Sequence, residues 1–236
     1  MLLKTGTIGS VQALLMKCGN LSKLKMLNRW IKWLMRTTAF NMAACIIITA
    51  SAPCFGQVDR ETMQPPEKIL DSIGVRPGMK IGEAGAGRGY FTFPLARRVG
   101  SGGIVFANDI SASSLDVIRK RVAAENLKNI RIVMGEIEDP LFPEKNLDMI
   151  VMVLVLHELE QPAPFLKNIQ KYLKPEGLLV IIERNTTVER THTNWFMTKN
   201  QILDTVSKAG YELDKIETFL PQDNIYIFKM ITASGL

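Results

Sequence analysis

Beyond residue 66 the chain alternates short, nearly continuous apolar runs with longer segments whose apolar residues recur at helical spacing. Runs near 79–83, 104–109, 130–134, 147–153 and 178–183 predict strands, and segments near 67–73, 89–99, 113–126 and 163–173 predict helices. Because the strands carry few interposed polar residues, they are expected to be covered on both faces, as in a parallel sheet built from βαβ units. The rhythm changes near the end. A helix over 198–209 stops at Gly210, and strands over 211–218 and 224–230 are separated only by Phe219-Leu220-Pro221-Gln222-Asp223. So short a connection makes that last pair antiparallel. Ahead of the first helix, residues 57–66 are polar and proline-bearing and read as a linker to a domain over 67–236.

Residues 1–56 follow neither rhythm and read as a leader. An apolar run over 37–52 follows the basic stretch Trp30-Ile31-Lys32-Trp33-Leu34-Met35-Arg36 and leads into small residues. That order fits a secretory signal cleaved after Gly56, leaving Gln57 first. A retained membrane anchor is the second reading, although the run is shorter than the ~20 apolar residues of a spanning helix. A mitochondrial transit peptide and an amphipathic helix packed on the domain are further alternatives, and a start at Met26 would give a signal of more usual proportions. Export to the periplasm or membrane association is the expectation, with mitochondrial or cytoplasmic residence as alternatives.

The net charge of +6 suggests a polyanion-binding protein until its position is considered. Residues 1–57 hold Lys4, Lys17, Lys23, Lys25, Arg29, Lys32 and Arg36 and no acid, so the remainder of the chain is one unit negative. Nucleic acid is therefore not expected as a partner. Cys18, Cys45 and Cys54 all precede residue 58, which deprives the domain of disulfides, a thiolate nucleophile and cysteine metal ligands. With His157 and His192 its only imidazoles, no metal site is expected. The sequence says nothing about oligomeric state.

Chemistry concentrates where the first strand runs into Ile81-Gly82-Glu83-Ala84-Gly85-Ala86-Gly87-Arg88-Gly89-Tyr90. Glycines between a strand and a helix bring backbone close to a ligand at the helix start. A dinucleotide fingerprint wants a third glycine five positions after its first, and Gly85 leads instead to Tyr90. Asp109 ends the second strand, where a carboxylate can accept both hydroxyls of a ribose. Helix capping is the alternative use of Asp109, though Ser111 and Ser113 are available for that.

The spacing of Glu83, Gly85, Gly87 and Gly89 resembles the acid-x-Gly-x-Gly-x-Gly motif of class I S-adenosylmethionine-dependent methyltransferases, in their small-molecule branch. The resemblance covers about Glu67 to Met230. It implies an open, mostly parallel seven-stranded α/β sheet in the order 3-2-1-4-5-7-6, the last strand antiparallel, with helices on both faces. It implies S-adenosylmethionine as cofactor, with Glu83 serving the ammonium of its methionine end and Asp109 its ribose. Gly135-Glu136-Ile137-Glu138-Asp139-Pro140 resembles the adenine-binding segment, with Glu136 the better candidate and Glu138 the alternative. Tyr90, Ile110, Ile137 and Val153 complete the expected cofactor-binding set. Lys174-Pro175-Glu176-Gly177 resembles the family's turn before the fifth strand, with Glu176 in place of a glycine.

Methyl transfer by in-line displacement depends mainly on alignment, so no signature catalytic side chain is required. His157, after the fourth strand, could act as a general base or help close the cofactor pocket. Glu183, Arg184, Asn185, His192, Trp195 and Phe196 could wall the acceptor, although the two aromatics could instead staple the helix at 198. The Asn-Pro-Pro-Tyr type of motif is absent at Val153-Leu154-Val155-Leu156, which favours a small-molecule or lipid-like acceptor. An NAD-dependent oxidoreductase and a non-catalytic cofactor-binding domain are the competing classes.

Overall fold

An apolar run becomes a buried strand when its side chains find cover on both sides of a sheet. In the computed structural model, which describes residues 59–188 and 195–231, the strands are β1 (Lys80–Ala84), β2 (Ile104–Asp109), β3 (Ile130–Met134), β4 (Leu147–Val153), β5 (Leu173–Arg184), β6 (Tyr211–Glu217) and β7 (Asp223–Met230). They form one sheet in the order β3-β2-β1-β4-β5-β7-β6. Strands β1 to β5 are parallel, and β7 is antiparallel to both neighbours. The expected fold class and reversed last strand are both present.

Helices α1 (Arg60–Met63), α2 (Pro66–Ser72), α3 (Thr92–Val99), α4 (Ala112–Ala124), α5 (Pro162–Ile169) and α6 (Lys199–Lys208) surround the sheet. Successive strand residues point to opposite faces, and this splits the core in two. Met149 and Val151, Val180 and Ile182, and Ile225 and Ile227 pack in one layer with Ile69 and Leu70 of α2, Leu95 and Val99 of α3, and Leu115 and Ile118 of α4. Their neighbours Ile150 and Met152, Leu179 and Ile181, and Tyr226 and Phe228 pack in the other, under Phe165, Leu166 and Ile169 of α5 and Ile202 and Val206 of α6. A slip of one residue in any central strand would exchange its two faces, so burial on both sides holds the register. The edge strand β6 exposes Glu212, Asp214 and Lys215, charges that discourage pairing with another chain.

Three boundaries differ from expectation. The segment expected as a linker is, from Asp59, part of the folded domain: Asp59 caps α1, and the buried Gln64 donates to Asp223 Oδ2 at 2.7 Å. Strand β5 begins at Leu173 rather than 178, because Lys174-Pro175-Glu176-Gly177 forms an irregular start to the strand instead of a free turn. Pairing with β4 shifts there, Leu147 opposing Leu173 and Met149 opposing Leu178. The preceding helix tightens into a 3-10 turn at Gln170–Tyr172 as the chain enters that strand. Among the described residues no helix is long and apolar enough to cross a membrane. The leader expectations and His192 lie outside the described residues.

Candidate active site

In an open α/β sheet, ligands gather beyond the carboxyl ends of the strands where the strand order reverses. Here that point lies between β1 and β4, and a cleft of about 440 Å³ opens over it. Among the expected site residues, Glu83, Gly85, Gly87, Tyr90, Asp109, Ile110, Glu136, Ile137 and Val153 line the cleft together. A volume of this size is within the range of small-molecule and cofactor sites.

The floor is Glu83, near the end of β1 and only 3% exposed. Burial pushes its carboxyl up to about 8, against the Thr92 hydrogen bond and the positive charge of Arg60, which favour the ionised form. Thr92 Oγ1 donates to Glu83 Oε2 at 2.5 Å. A carboxylate so placed could serve as partner for a ligand cation.

Above it, the turn is held by backbone N–H groups. Gly85 and Ala86 donate to Asn108 O at 2.9 and 2.7 Å, and Gly87 donates to Asp109 Oδ2 at 2.8 Å. Gly85 has φ +77°, and a Cβ there would fall 2.3 Å from Val155 Cγ2. Backbone conformation and space both exclude a side chain at that position. Gly89, expected in the cofactor set, does not line the cleft; a Cβ on it would meet the Phe93 ring at 2.7 Å, so it allows α3 to pack closely behind the turn.

Asp109 holds the turn through Oδ2 and accepts from Ser111 N at 2.8 Å through Oδ1. The cap of α4 is Ser111, which accepts from Ser114 N, so Asp109 is not spent on capping. Its remaining lone pairs are open to further donors. Ile110 and Ile137, 62% and 59% exposed, give the cleft two apolar side walls. The loop carrying Glu136 and Ile137 is anchored from behind. Asn108 Nδ2 donates to Pro140 O at 2.8 Å, and Asp139 Oδ1 accepts from Leu141 N and the Tyr172 hydroxyl. Glu138, the alternative to Glu136, is not among the cleft residues.

On the far side, Val153, Leu154 and Val155 line the cleft. Leu154 turns away from the sheet at φ +55° while its N–H still reaches Ile182 O at 2.8 Å. For a non-glycine residue this is a strained conformation of the kind that collects at functional sites. The 3-10 turn Leu156–Glu158 follows, and its middle residue departs from expectation. His157 does not line the cleft, and its side chain is 4% exposed. Its Nδ1 lies 2.8 Å from Glu183 Oε2 and its backbone N–H donates to Glu183 Oε1 at 3.3 Å, while Phe196 packs edge-on against the imidazole at 4.7 Å.

Several of the residues expected as an acceptor wall are instead engaged with neighbours outside that set. Glu183 is fully buried on His157, and Arg184 pairs with Asp223 at 3.1 Å. Asn185 Oδ1 accepts from Thr187, and Trp195 stands 71% exposed. Sequence reasoning missed Arg60, Asn108, Leu154 and Gln64. Asn108 was the one within reach, as a polar residue closing an otherwise apolar strand.

The comparisons with known proteins agree with this geometry. Residues 76–221, more than half of the chain, match the family model described as a methyltransferase domain. A demethylmenaquinone methyltransferase of Staphylococcus aureus is 29% identical over 50% of this chain and 48% of its own length. A ubiquinone/menaquinone biosynthesis C-methyltransferase of Laribacter hongkongensis is 32% identical over 48% of this chain and 46% of its own. The chain thus spans about half the length of these curated relatives. A solved S-adenosylmethionine-dependent methyltransferase from Aquifex aeolicus superposes with a TM-score of 0.68 at 25% identity, over 73% of this chain and 93% of that one. The chain belongs to the methyltransferase domain family, whose cofactor is S-adenosylmethionine.

The raised carboxyl of Glu83 makes the ligand-free fold sensitive to pH. Between the unfolded value near 4.5 and the folded value of about 8, the folded state keeps a proton that the unfolded state has lost. This group's contribution is therefore full below that window and is lost as pH rises through it. Urea unfolding at pH 5, 6.5 and 8 should show stability falling more steeply in the wild type than in Glu83→Gln. Identical slopes would contradict the assignment.

Proposed function

We propose that the domain transfers a methyl group from S-adenosylmethionine to a nucleophilic oxygen, nitrogen or carbon of a small or lipid-like acceptor, an electron-rich ring of the quinone-precursor type. The observation that carries this reading is the buried carboxyl group of Glu83 beneath the glycine turn, with Asp109 in the same cleft. In this assignment Glu83 takes the ammonium of the methionine end and Asp109 the ribose hydroxyls. Gly85 and Gly87 leave room for the ligand to approach the backbone. Ile110 and Ile137 flank the adenine while Glu136 accepts its amino group, and Tyr90 and Val153 complete the walls. The cofactor supplies a methyl group on a positively charged sulfur. In such a transfer the acceptor atom would bond to that carbon as the sulfur–carbon bond broke, leaving a neutral thioether, and the acceptor's proton would pass to solvent.

The chain's own contribution is alignment and exclusion of water, which suffices for a displacement of this kind. Leu159 and Phe165 add apolar surface to the cleft lining, and the names of the quinone methyltransferase relatives support a ring acceptor. His157 acts as a positioning residue. Its bond to Glu183 fixes the turn whose neighbours Val155, Glu158 and Leu159 line the cleft. The leader directs export or membrane association, supported by its basic flank, apolar run and small residues.

Incubation with methyl-labelled cofactor and demethylated quinols or a cellular lipid extract should move label into an organic-phase product. Cofactor binding with no transfer to any acceptor in a whole-cell extract would reduce the protein to a binding module. His157→Gln should raise the cofactor KM while kcat falls less than about tenfold and its pH profile stays in place; a fall of about a hundredfold or more with a shifted profile would make it a base. Mass spectrometry of the protein from its native cell should find Gln57 at the N-terminus or the chain in the membrane fraction. An unprocessed protein confined to the cytosol would refute the leader assignment.

A further inference from the structure

The methionine end of the cofactor is a zwitterion, and a cleft that recognises it needs a cationic partner as well as Glu83. Arg60 of α1 lines the same cleft, in the segment whose sequence reads as a linker. Its guanidinium lies over the Tyr90 ring at 4.1 Å, and its Nε donates to Gln64 Oε1 at 3.2 Å. The terminal nitrogens make no hydrogen bond among the described residues and are available to a ligand. The planar fork of an arginine matches a carboxylate with two parallel hydrogen bonds.

We propose that Arg60 binds the carboxylate of the cofactor's methionine end and that Gln64 is the residue that holds it in position. This rests on the reading of the cleft as the S-adenosylmethionine site. Gln64 is 3% exposed and joins three neighbours. Its side-chain oxygen accepts from Arg60, its backbone oxygen accepts from the Tyr90 hydroxyl at 3.0 Å, and its amide nitrogen donates to Asp223 Oδ2 at 2.7 Å. Asp223 is itself buried and paired with Arg184 at 3.1 Å. Arg60 is therefore fastened through Gln64 to the end of the sheet rather than left on a loose arm. Arg88 also lines the cleft, but Arg60 is the cation whose charge is felt at Glu83. One acid and one base bearing on each other at one end of a cleft form the complement of an α-amino acid.

Three ligands separate this role from general pocket shaping. S-adenosylhomocysteine carries both charged groups, decarboxylated S-adenosylmethionine keeps only the ammonium, and 5′-methylthioadenosine has neither. By calorimetry, Arg60→Met should weaken S-adenosylhomocysteine about tenfold or more and shift the other two by less than about twofold, as expected for loss of a charge-assisted pair. Arg60→Lys should recover part of the loss, and Glu83→Gln should weaken both ammonium-bearing ligands. Gln64→Leu should weaken S-adenosylhomocysteine in the wild-type background but not in the Arg60→Met background, which marks it as acting through Arg60. Equal losses for all three ligands in Arg60→Met, or a selective loss in Arg88→Met instead, would overturn the proposal. A wild-type protein that binds none of the three would overturn the cofactor reading itself, and this inference with it.

Discussion

The site depends on keeping a carboxyl group out of water at the end of β1. Glu83 is set into the floor of the cleft by strand pairing on both sides, with Ala107 of β2 and Val151 of β4 as its neighbours in register. Burying an acid without a full ion-pair partner is unfavourable, and the molecule offsets that only in part, through the Thr92 hydroxyl and the nearby charge of Arg60. A ligand that brings its own cation relieves the rest. The unfavourable term is thus concentrated at one point of the cleft, beneath the glycine turn.

The glycine turn, Asp109 and the strained Leu154 all serve that geometry. Asp109 braces the turn through Gly87 while keeping lone pairs for a ligand, and Leu154 swings the chain out of β4 so that Val155 fills the space beside Gly85. Each of these residues is held by backbone hydrogen bonds from an adjacent strand. The cleft therefore inherits the rigidity of the sheet on one side and is closed on the other by the anchored loop carrying Glu136 and Ile137.

Legibility in the sequence followed the range of the interactions involved. The strands were readable because an apolar run with both faces covered leaves a local signature, and that Glu83, Gly85, Gly87 and Asp109 would share one cleft was readable because their spacing is local too. The strand order came from a family resemblance rather than from periodicity, since nothing local distinguishes β7 inserted beside β5 from β7 at the edge. Gly89 shares the motif's spacing yet lies outside the cleft lining, close against Phe93, because φ > 0 and close approach demand a glycine in either use. His157 and Glu183 each stand out singly, but their bond joins the 3-10 turn after β4 to the end of β5, 26 positions away. Residues 57–66 misled for the same reason: Gln64 and Asp223 are 159 positions apart, and a polar side chain destined for such a partner looks like any solvated one.

That last pairing has a consequence for how the molecule is made. The segment carrying Arg60 leaves the ribosome well before its anchor Asp223, which opens β7, the strand that must also slot between β5 and β6. Domains condense as they emerge, from the N-terminal side onward. During synthesis the glycine turn and its neighbouring strands can therefore assemble while the Arg60 wall waits, and that wall is fastened only after residue 223 has emerged. A truncated or stalled product would carry the motif without the closed site.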